Sequence, residues 1–255
     1  MEIHRDPNEN DPAGRVLELL RSHRSIRRFT SDPVPDADIE RAVAAGQMAS
    51  TSSAVQAYCL IRVRDPGTRE RLVPLTGGQQ KVADCGAFFV VCGDVRRHRV
   101  ACARDGIGYD ARLEAFLVAA IDASLFAEKT VVAFEAMGYG VCYIGGLRNQ
   151  LAEVRDLLEI PLGVYPLYGL CVGVPDESPS IRPRLRVASV LFEERYPDDD
   201  RLLAQMAEYD ETYERYRKER GAEPARWSEL MSAKYKTPAR THLAGVYRDL
   251  GADLD

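Results

Sequence analysis

The alternation of apolar patterns along this chain predicts an α/β-like core of three or four strands flanked by helices. Two observations carry the strands and one carries the helices. CGAFFVVCGD and VYPLYGLCVGVP are unbroken apolar runs of strand length, as expected of strands buried on both faces. Between them, the stretch from Ala111 to Met137 is apolar on most of its circumference and too long for a strand, so it reads as a central buried helix.

The remaining elements follow in order. A polar leader gives way to GRVLELLRSH, a short helix, and then to DADIERAVAAGQMA, an amphipathic helix opening at Asp36 behind Pro33 and Pro35. QAYCLIRVR has strand character, and ERLVPLTGG reads as a helix running into a Gly-Gly turn. After the central helix, GYGVCYI is a strand and NQLAEVRDLLEI a helix that ends before Pro161. Past Pro175 the character changes: SPSIRPRLR is basic and proline-containing, ASVLFEERY reads as a lone late strand, and the rest is charged and helical. That tail has little apolar surface of its own and is expected to lie on the core or wrap a partner subunit. A single domain over residues 1–255 is therefore expected, with its core at about 15–196 and a helical extension at about 197–255.

Composition narrows the function classes. Of the 255 residues, 45% are hydrophobic, enough for a sizeable core. The formal net charge of -5 argues against a chain whose main task is gripping nucleic acid phosphates. Six cysteines without a CxxC pair, several of them inside apolar runs, read as buried free thiols. His4, His23, His98 and His242 form no HExxH and flank no metal-spaced cysteine pair, so no metal site is expected. GxGxxG, GxxxxGK[ST] and GxSxG are absent, which removes the dinucleotide fingerprint, the P-loop and the nucleophile elbow. MEIHRDPNENDPAG lacks the apolar core of a signal peptide, and the apolar stretches are interrupted short of the roughly 18 residues a membrane span requires. A cytoplasmic location with no membrane partner is expected.

Two donor clusters stand out. His23-Arg24-Ser25-Ile26-Arg27-Arg28-Phe29 gathers imidazole, hydroxyl and guanidinium groups before a Thr-Ser-Asp-Pro turn, and arginine forks bind phosphate bidentately. A solvated basic helix end would look the same. SIRPRLR, residues 180–186, is the second cluster, kept out of a helix by Pro183; a basic surface loop is its plain alternative. Two such clusters in an acidic protein suggest convergence on one anionic ligand. Between them lie TSSAVQ (51–56), TGGQ (76–79) and YIGGLRN (143–149). Glycines after a buried strand let another group approach the main chain, whose N–H groups can hydrogen bond a planar heterocycle.

Taken in order, HRSIRRF, TSSAVQAY, LTGGQ, YIGGLRN, PLYGLCVGVP and RPRLR resemble the nitroreductase superfamily, over about residues 15–196. More narrowly they are similar to its group A members, the oxygen-insensitive NADPH nitroreductases and NADPH-flavin reductases. The resemblance implies an α+β fold with a central mixed sheet flanked by helices and a helical C-terminal extension, assembled as an obligate homodimer that binds FMN at the subunit interface. Carried over by motif, His23, Arg24 and Ser25, with Arg182 and Arg184, would surround the FMN phosphate and ribityl chain, and Arg27 would face the pyrimidine edge of the ring. Thr51, Ser53 and Gln79 would supply polar contacts, while Tyr143, Ile144, Gly145 and Gly146 would run beside the ring with a backbone N–H reaching N5. Arg182 stands where the group usually has lysine, and Ala54 where many relatives have a larger or polar residue. The Arg220-Gly221 step of ERYRKERG resembles the loop that reads the 2′-phosphate of NADPH, although a solvated charged face with Glu214 and Lys218 four apart fits the same helix.

The activity this implies is ping-pong: NADPH gives hydride to the flavin and leaves, and a nitroaromatic, quinone or free flavin then takes electrons in the same place. The flavin carries the chemistry, so no catalytic side chain is assigned. The alternative from another class is a non-catalytic flavin-binding or flavin-carrier protein of the same fold.

Overall fold

Residues 11–255 are described by the structure, a computed structural model, and His4 lies outside them. Helix α1 (Pro12–Arg21) opens on a proline, whose missing N–H is no loss in a first turn. Helix α2 (Asp36–Gly46) follows the two prolines and carries Asp36 and Asp38 at the positive end of its dipole. Then come β1 (Tyr58–Val63), α3 (Pro66–Leu75), the single-turn α4 (Lys81–Asp84), β2 (Ala87–Asp94), α5 (Arg96–Arg104) and α6 (Leu113–Ala136). They are followed by β3 (Gly140–Ile144), α7 (Leu151–Leu157), β4 (Val164–Gly173), α8 (Asp199–Glu219), α9 (Trp227–Tyr235) and α10 (Leu243–Asp249).

The strands form one sheet in the order β1-β2-β4-β3, each pair antiparallel. The parallel component of the expected mixed sheet is, among the described residues, the Ser25–Val141 bridge beside β3. All eight residues of β2 are buried, which explains its unbroken apolar run. Helix α6 lies across the sheet: Phe126 stacks on Tyr58 with centroids 4.2 Å apart, and Phe134 meets Phe89 at 6.2 Å. Gly93 permits the approach, since a Cβ there would stand 3.0 Å from the Cβ of Ala119. Burying each of the large side chains contributes roughly 1.5–3 kcal/mol.

The chain forms two compact units, one running to Pro179 and including His242–Asp255, the other Ser180–Thr241. In the first, α10 returns to the core, where Tyr247 donates to the carbonyl of Pro166 at 2.9 Å and packs with Phe116 and Tyr165. In the second, the segment after Ser180 runs alongside α8. Tyr209 donates to the Pro183 carbonyl at 2.8 Å, Arg186 pairs with Glu208 at 2.8 Å, and Gln205 donates to the Ala188 carbonyl at 2.8 Å. The late strand expected at ASVLFEERY does not form: Val187–Ser189 is a 3-10 turn and the following residues carry no regular structure. A strand needs a ladder partner, and the second unit contains no other strand among the described residues. Val190, Leu191 and Tyr196 remain 64%, 61% and 75% exposed.

All six cysteines are free; Cys85, Cys92, Cys142 and Cys171 are buried, Cys59 and Cys102 half-buried. Among the described residues no cluster could hold a metal ion, and no helix is long and apolar enough to cross a membrane.

Candidate functional site

The HRSIRRF segment is strapped onto the sheet's β3 side. The amide of Ile26 donates to the Val141 carbonyl at 2.9 Å, that of Thr30 to Val174 at 3.0 Å, and that of Asp176 to Arg28 at 3.0 Å. Glu177 finishes the strap: one carboxylate oxygen accepts from the amides of Arg27 and Arg28, and the other stands 3.6 Å from the Arg28 guanidinium. The Arg28 backbone is thus tied to Glu177, and its largely exposed guanidinium stays near that carboxylate. The exposed Arg27 guanidinium donates to the Ser25 carbonyl at 3.3 Å. His23 meets Glu135 of α6 at 2.7 Å, and Arg24 lines a cleft of about 290 Å³ together with Ile26, Glu135, Tyr139 and Glu177. His23, Arg24, Ser25 and Arg27 thus share one edge of the first unit.

Thr51 and Ser53 sit on a loop of unusual backbone. Ser53, Ala54 and Gln56 all take left-handed conformations, with φ of 45°, 58° and 52°, each costing a non-glycine residue about 1–2 kcal/mol. The loop is anchored from two helices. Asp122 of α6, fully buried, accepts from the Ser52 amide at 3.0 Å and the Ala57 amide at 3.1 Å. His98 of α5 bonds the Val55 carbonyl through Nε2 at 2.8 Å, and its buried Nδ1 has no hydrogen-bond partner among the described residues.

The two glycine-rich turns, TGGQ and YIGG, touch. Gln79 donates to the Thr76 carbonyl at 2.7 Å, and a Cβ on Gly146 would lie 2.3 Å from both the Gln79 amide nitrogen and that carbonyl oxygen. Gly146 is thus required by packing. Gly145 is not: a Cβ there would meet only an Arg148 nitrogen, at an ordinary 3.6 Å. Ile144 is fully buried, so in this chain alone neither its side chain nor its main chain reaches the surface. The Tyr143 hydroxyl is spent on Glu128 at 2.9 Å and its ring packs edge-on against Tyr168 at 5.4 Å; burial, reinforced by Glu128, pushes its ionisation well above the usual tyrosine range.

Arg182, Arg184 and Arg220 belong to the second unit. Arg184 donates to the Arg182 carbonyl at 3.3 Å. Arg220, at the C-cap of α8, donates to the Tyr216 hydroxyl at 2.5 Å and lies over that ring at 5.5 Å. Burial raises the ionisation of Tyr216, but hydrogen bonds from Arg220 and Arg182, with their charges, outweigh it and leave the hydroxyl more acidic than usual. Two arginines assigned to different ligands in the sequence therefore meet at one tyrosine.

The first unit thus offers partly exposed cations and hydroxyls, and a strand end at which Gly145 is met only by the Arg148 side chain among the described residues. That set suits an anionic, planar ligand: the guanidiniums fit phosphate, and the bare backbone N–H groups fit ring heteroatoms. The residues that position these groups, Asp122, Glu135, Glu177 and His98, carry no motif, and sequence reasoning missed them.

Fold and site together define an oxidoreductase of the nitroreductase family, to which the chain belongs: residues 20–174 match the Nitroreductase family and residues 182–255 match the Nitroreductase family, C-terminal domain. The chain is 42% identical to an oxygen-insensitive NADPH nitroreductase of Salmonella typhimurium, over 84% of this chain and 88% of that one. It is 39% identical to an FMN reductase (NADPH) of Bacillus subtilis, over 92% and 97% of the two chains. An NADPH:FMN oxidoreductase from Vibrio harveyi, solved in complex with NAD+, superposes with a TM-score of 0.85 at 32% identity, covering 93% of this chain and 98% of that chain.

Proposed function

We propose that this chain binds FMN and uses NADPH, in a ping-pong cycle, to reduce small acceptors: nitroaromatics, quinones or free flavins. The observation that carries the reading is the contrast between Gly146, which the protein's own packing requires, and Gly145, which it does not. A glycine at the end of a buried strand, met only by the tip of the long Arg148 side chain at 3.6 Å, leaves room for a ligand against the main chain. Bound there, the flavin would supply hydride acceptance from the nicotinamide and onward transfer to the acceptor. The chain's own residues bind and orient. His23, Arg24 and Ser25 hold the phosphate end, Arg27 faces the pyrimidine edge, and Thr51, Ser53 and Gln79 add polar contacts. Main-chain groups of Tyr143, Ile144, Gly145 and Gly146 run along the ring. Arg182, Arg184 and Arg220 are the cations the second unit offers to phosphate groups, with Arg220 assigned to the 2′-phosphate of NADPH.

The working form is a homodimer. Leu113, Leu117, Ile121 and Leu125 recur every fourth residue along α6 and are 42–56% exposed, a continuous apolar stripe that a second copy would cover. The test is the purified protein itself: it should be yellow, release FMN rather than FAD on heating, sediment as a dimer, and oxidise NADPH when a quinone is added. Release of FAD, or a flavin-loaded monomer at micromolar concentration, would refute the corresponding part. A yellow protein inert toward NADPH and quinone would instead be a flavin carrier.

A further inference from the structure

We propose that Asp122 is a positioning residue for the FMN site, its buried carboxyl group fixing from beneath the left-handed turn that carries Thr51 and Ser53; the inference rests on the flavin reading above. An aspartate is a poor choice for the middle of a buried helix, because it favours caps and turns and is costly to take out of water. What Asp122 gains is external to its helix: one oxygen accepts from Ser52 and the other from Ala57, the two ends of the turn. Between those ends Ser53, Ala54 and Gln56 hold positive φ although none is glycine, and Ser52, Ser53, Ala54 and Gln56 are exposed. The turn therefore lacks side-chain burial at these positions to hold its shape. One backbone bond, from the Val55 amide to the Ser52 carbonyl at 2.7 Å, closes the turn, and Asp122 pins its two ends from outside, seconded by His98 on Val55.

Thr130 shows the contrast. It is equally buried on the same helix, but its hydroxyl is spent on the Phe126 carbonyl of its own backbone at 2.8 Å. A polar group that only filled the core would behave like Thr130; Asp122 reaches out to a segment placed at the flavin.

Asp122→Asn keeps the volume and one acceptor oxygen but sets an NH2 group where an N–H donor points. Flavin-stripped protein is titrated with FMN by fluorescence, and amide exchange is followed at Ser52, Ala57 and β2. In Asp122→Asn the Kd for FMN should rise at least about tenfold and both loop amides should exchange at least about tenfold faster, with β2 unchanged. Thr130→Val, a core control, should change neither. Adding Ala54→Gly to Asp122→Asn should recover about threefold in affinity or more, because glycine occupies the left-handed region freely. An FMN affinity within about twofold of the parent in Asp122→Asn overturns the inference, as does faster exchange spread evenly through β2. A parent that binds no FMN removes the flavin reading and this inference with it, whereas a parent that binds beside an unaffected variant removes this inference alone.

Discussion

The imidazole of His23 and the carboxylate of Glu135 lie 2.7 Å apart, joining the N-terminal donor cluster to the last turns of α6. The partnership fixes the ring's orientation, so Glu135→Ala should loosen His23 and raise the Kd for FMN by roughly tenfold, the scale of one hydrogen bond to a charged group. Flavin fluorescence titration measures it. An unchanged Kd would place His23 away from the cofactor.

Arg27 and Arg28 are neighbours with different commitments. Arg28 faces Glu177 in a partly exposed ion pair at 3.6 Å, while the Arg27 guanidinium donates to the Ser25 carbonyl at 3.3 Å. Arg27→Ala should lower FMN affinity or the rate of flavin reduction by roughly one to two decades, and Arg28→Ala should have a much smaller effect. Equal effects would show that the register of the cluster is misassigned.

The adjacent glycines should separate packing from ligand binding. Gly146→Ala drives a Cβ into Gln79 and the Thr76 carbonyl, and should lower unfolding stability by about 1–3 kcal/mol. Gly145→Ala should leave stability within about 0.5 kcal/mol, yet weaken FMN binding about tenfold or more. Urea unfolding of the flavin-free variants beside FMN titration reads both quantities. A strongly destabilised Gly145→Ala would contradict the ordinary 3.6 Å spacing found beside that residue.

Arg220→Ala should raise the Michaelis constant for NADPH about tenfold or more and leave that for NADH nearly unchanged, since only NADPH carries the 2′-phosphate. Because Arg220 rests on the Tyr216 hydroxyl, Tyr216→Phe should produce a weaker effect of the same selectivity, about threefold. Parallel losses with both nucleotides would mean that the pair only braces α8.

A pH dependence follows from the aromatic cluster under α10. Burial pushes the hydroxyls of Tyr165 and Tyr247 up to about 12. The unfolded chain releases such protons near about 10, so between about pH 10 and 12 the folded state holds more protons and stability falls as pH rises. Below about pH 10 the contribution is fully present. Tyr247→Phe should flatten part of this decline, measured as urea midpoints at about pH 9 and 11. An unaltered slope would show that Tyr247 ionises freely in the fold.

Much of this architecture was legible in the sequence, because burial on both faces leaves an unmistakable trace. The runs at Ala87–Asp94 and Val164–Gly173 are strands, and the apolar stretch from Ala111 is α6. Helix α5 left no such trace, since RRHRVACAR is dominated by arginine and buries no residue. The strand at QAYCLIRVR begins two residues later than expected, because Gln56 turns left-handed before Tyr58. ASVLFEERY has strand character but no neighbour within its own unit to pair with, and local propensity cannot make a ladder by itself. At the candidate site, the glycines and arginines stood out as local clusters, and their proposed roles came from the family resemblance. Asp122, Glu135 and Glu177 did not stand out, because each is joined to its target only by the fold, across 65 or more residues.

The distribution of sulfur gives the chain a built-in gauge of its own integrity. Two thiols, Cys59 and Cys102, are half-buried, and the other four are sealed within the sheet and its borders. A bulky aromatic disulfide reagent added to the native protein should therefore colour with two equivalents at most, and the remaining four should appear together when the sheet opens. The stoichiometry of that release counts unfolded molecules directly, without label, cofactor or substrate.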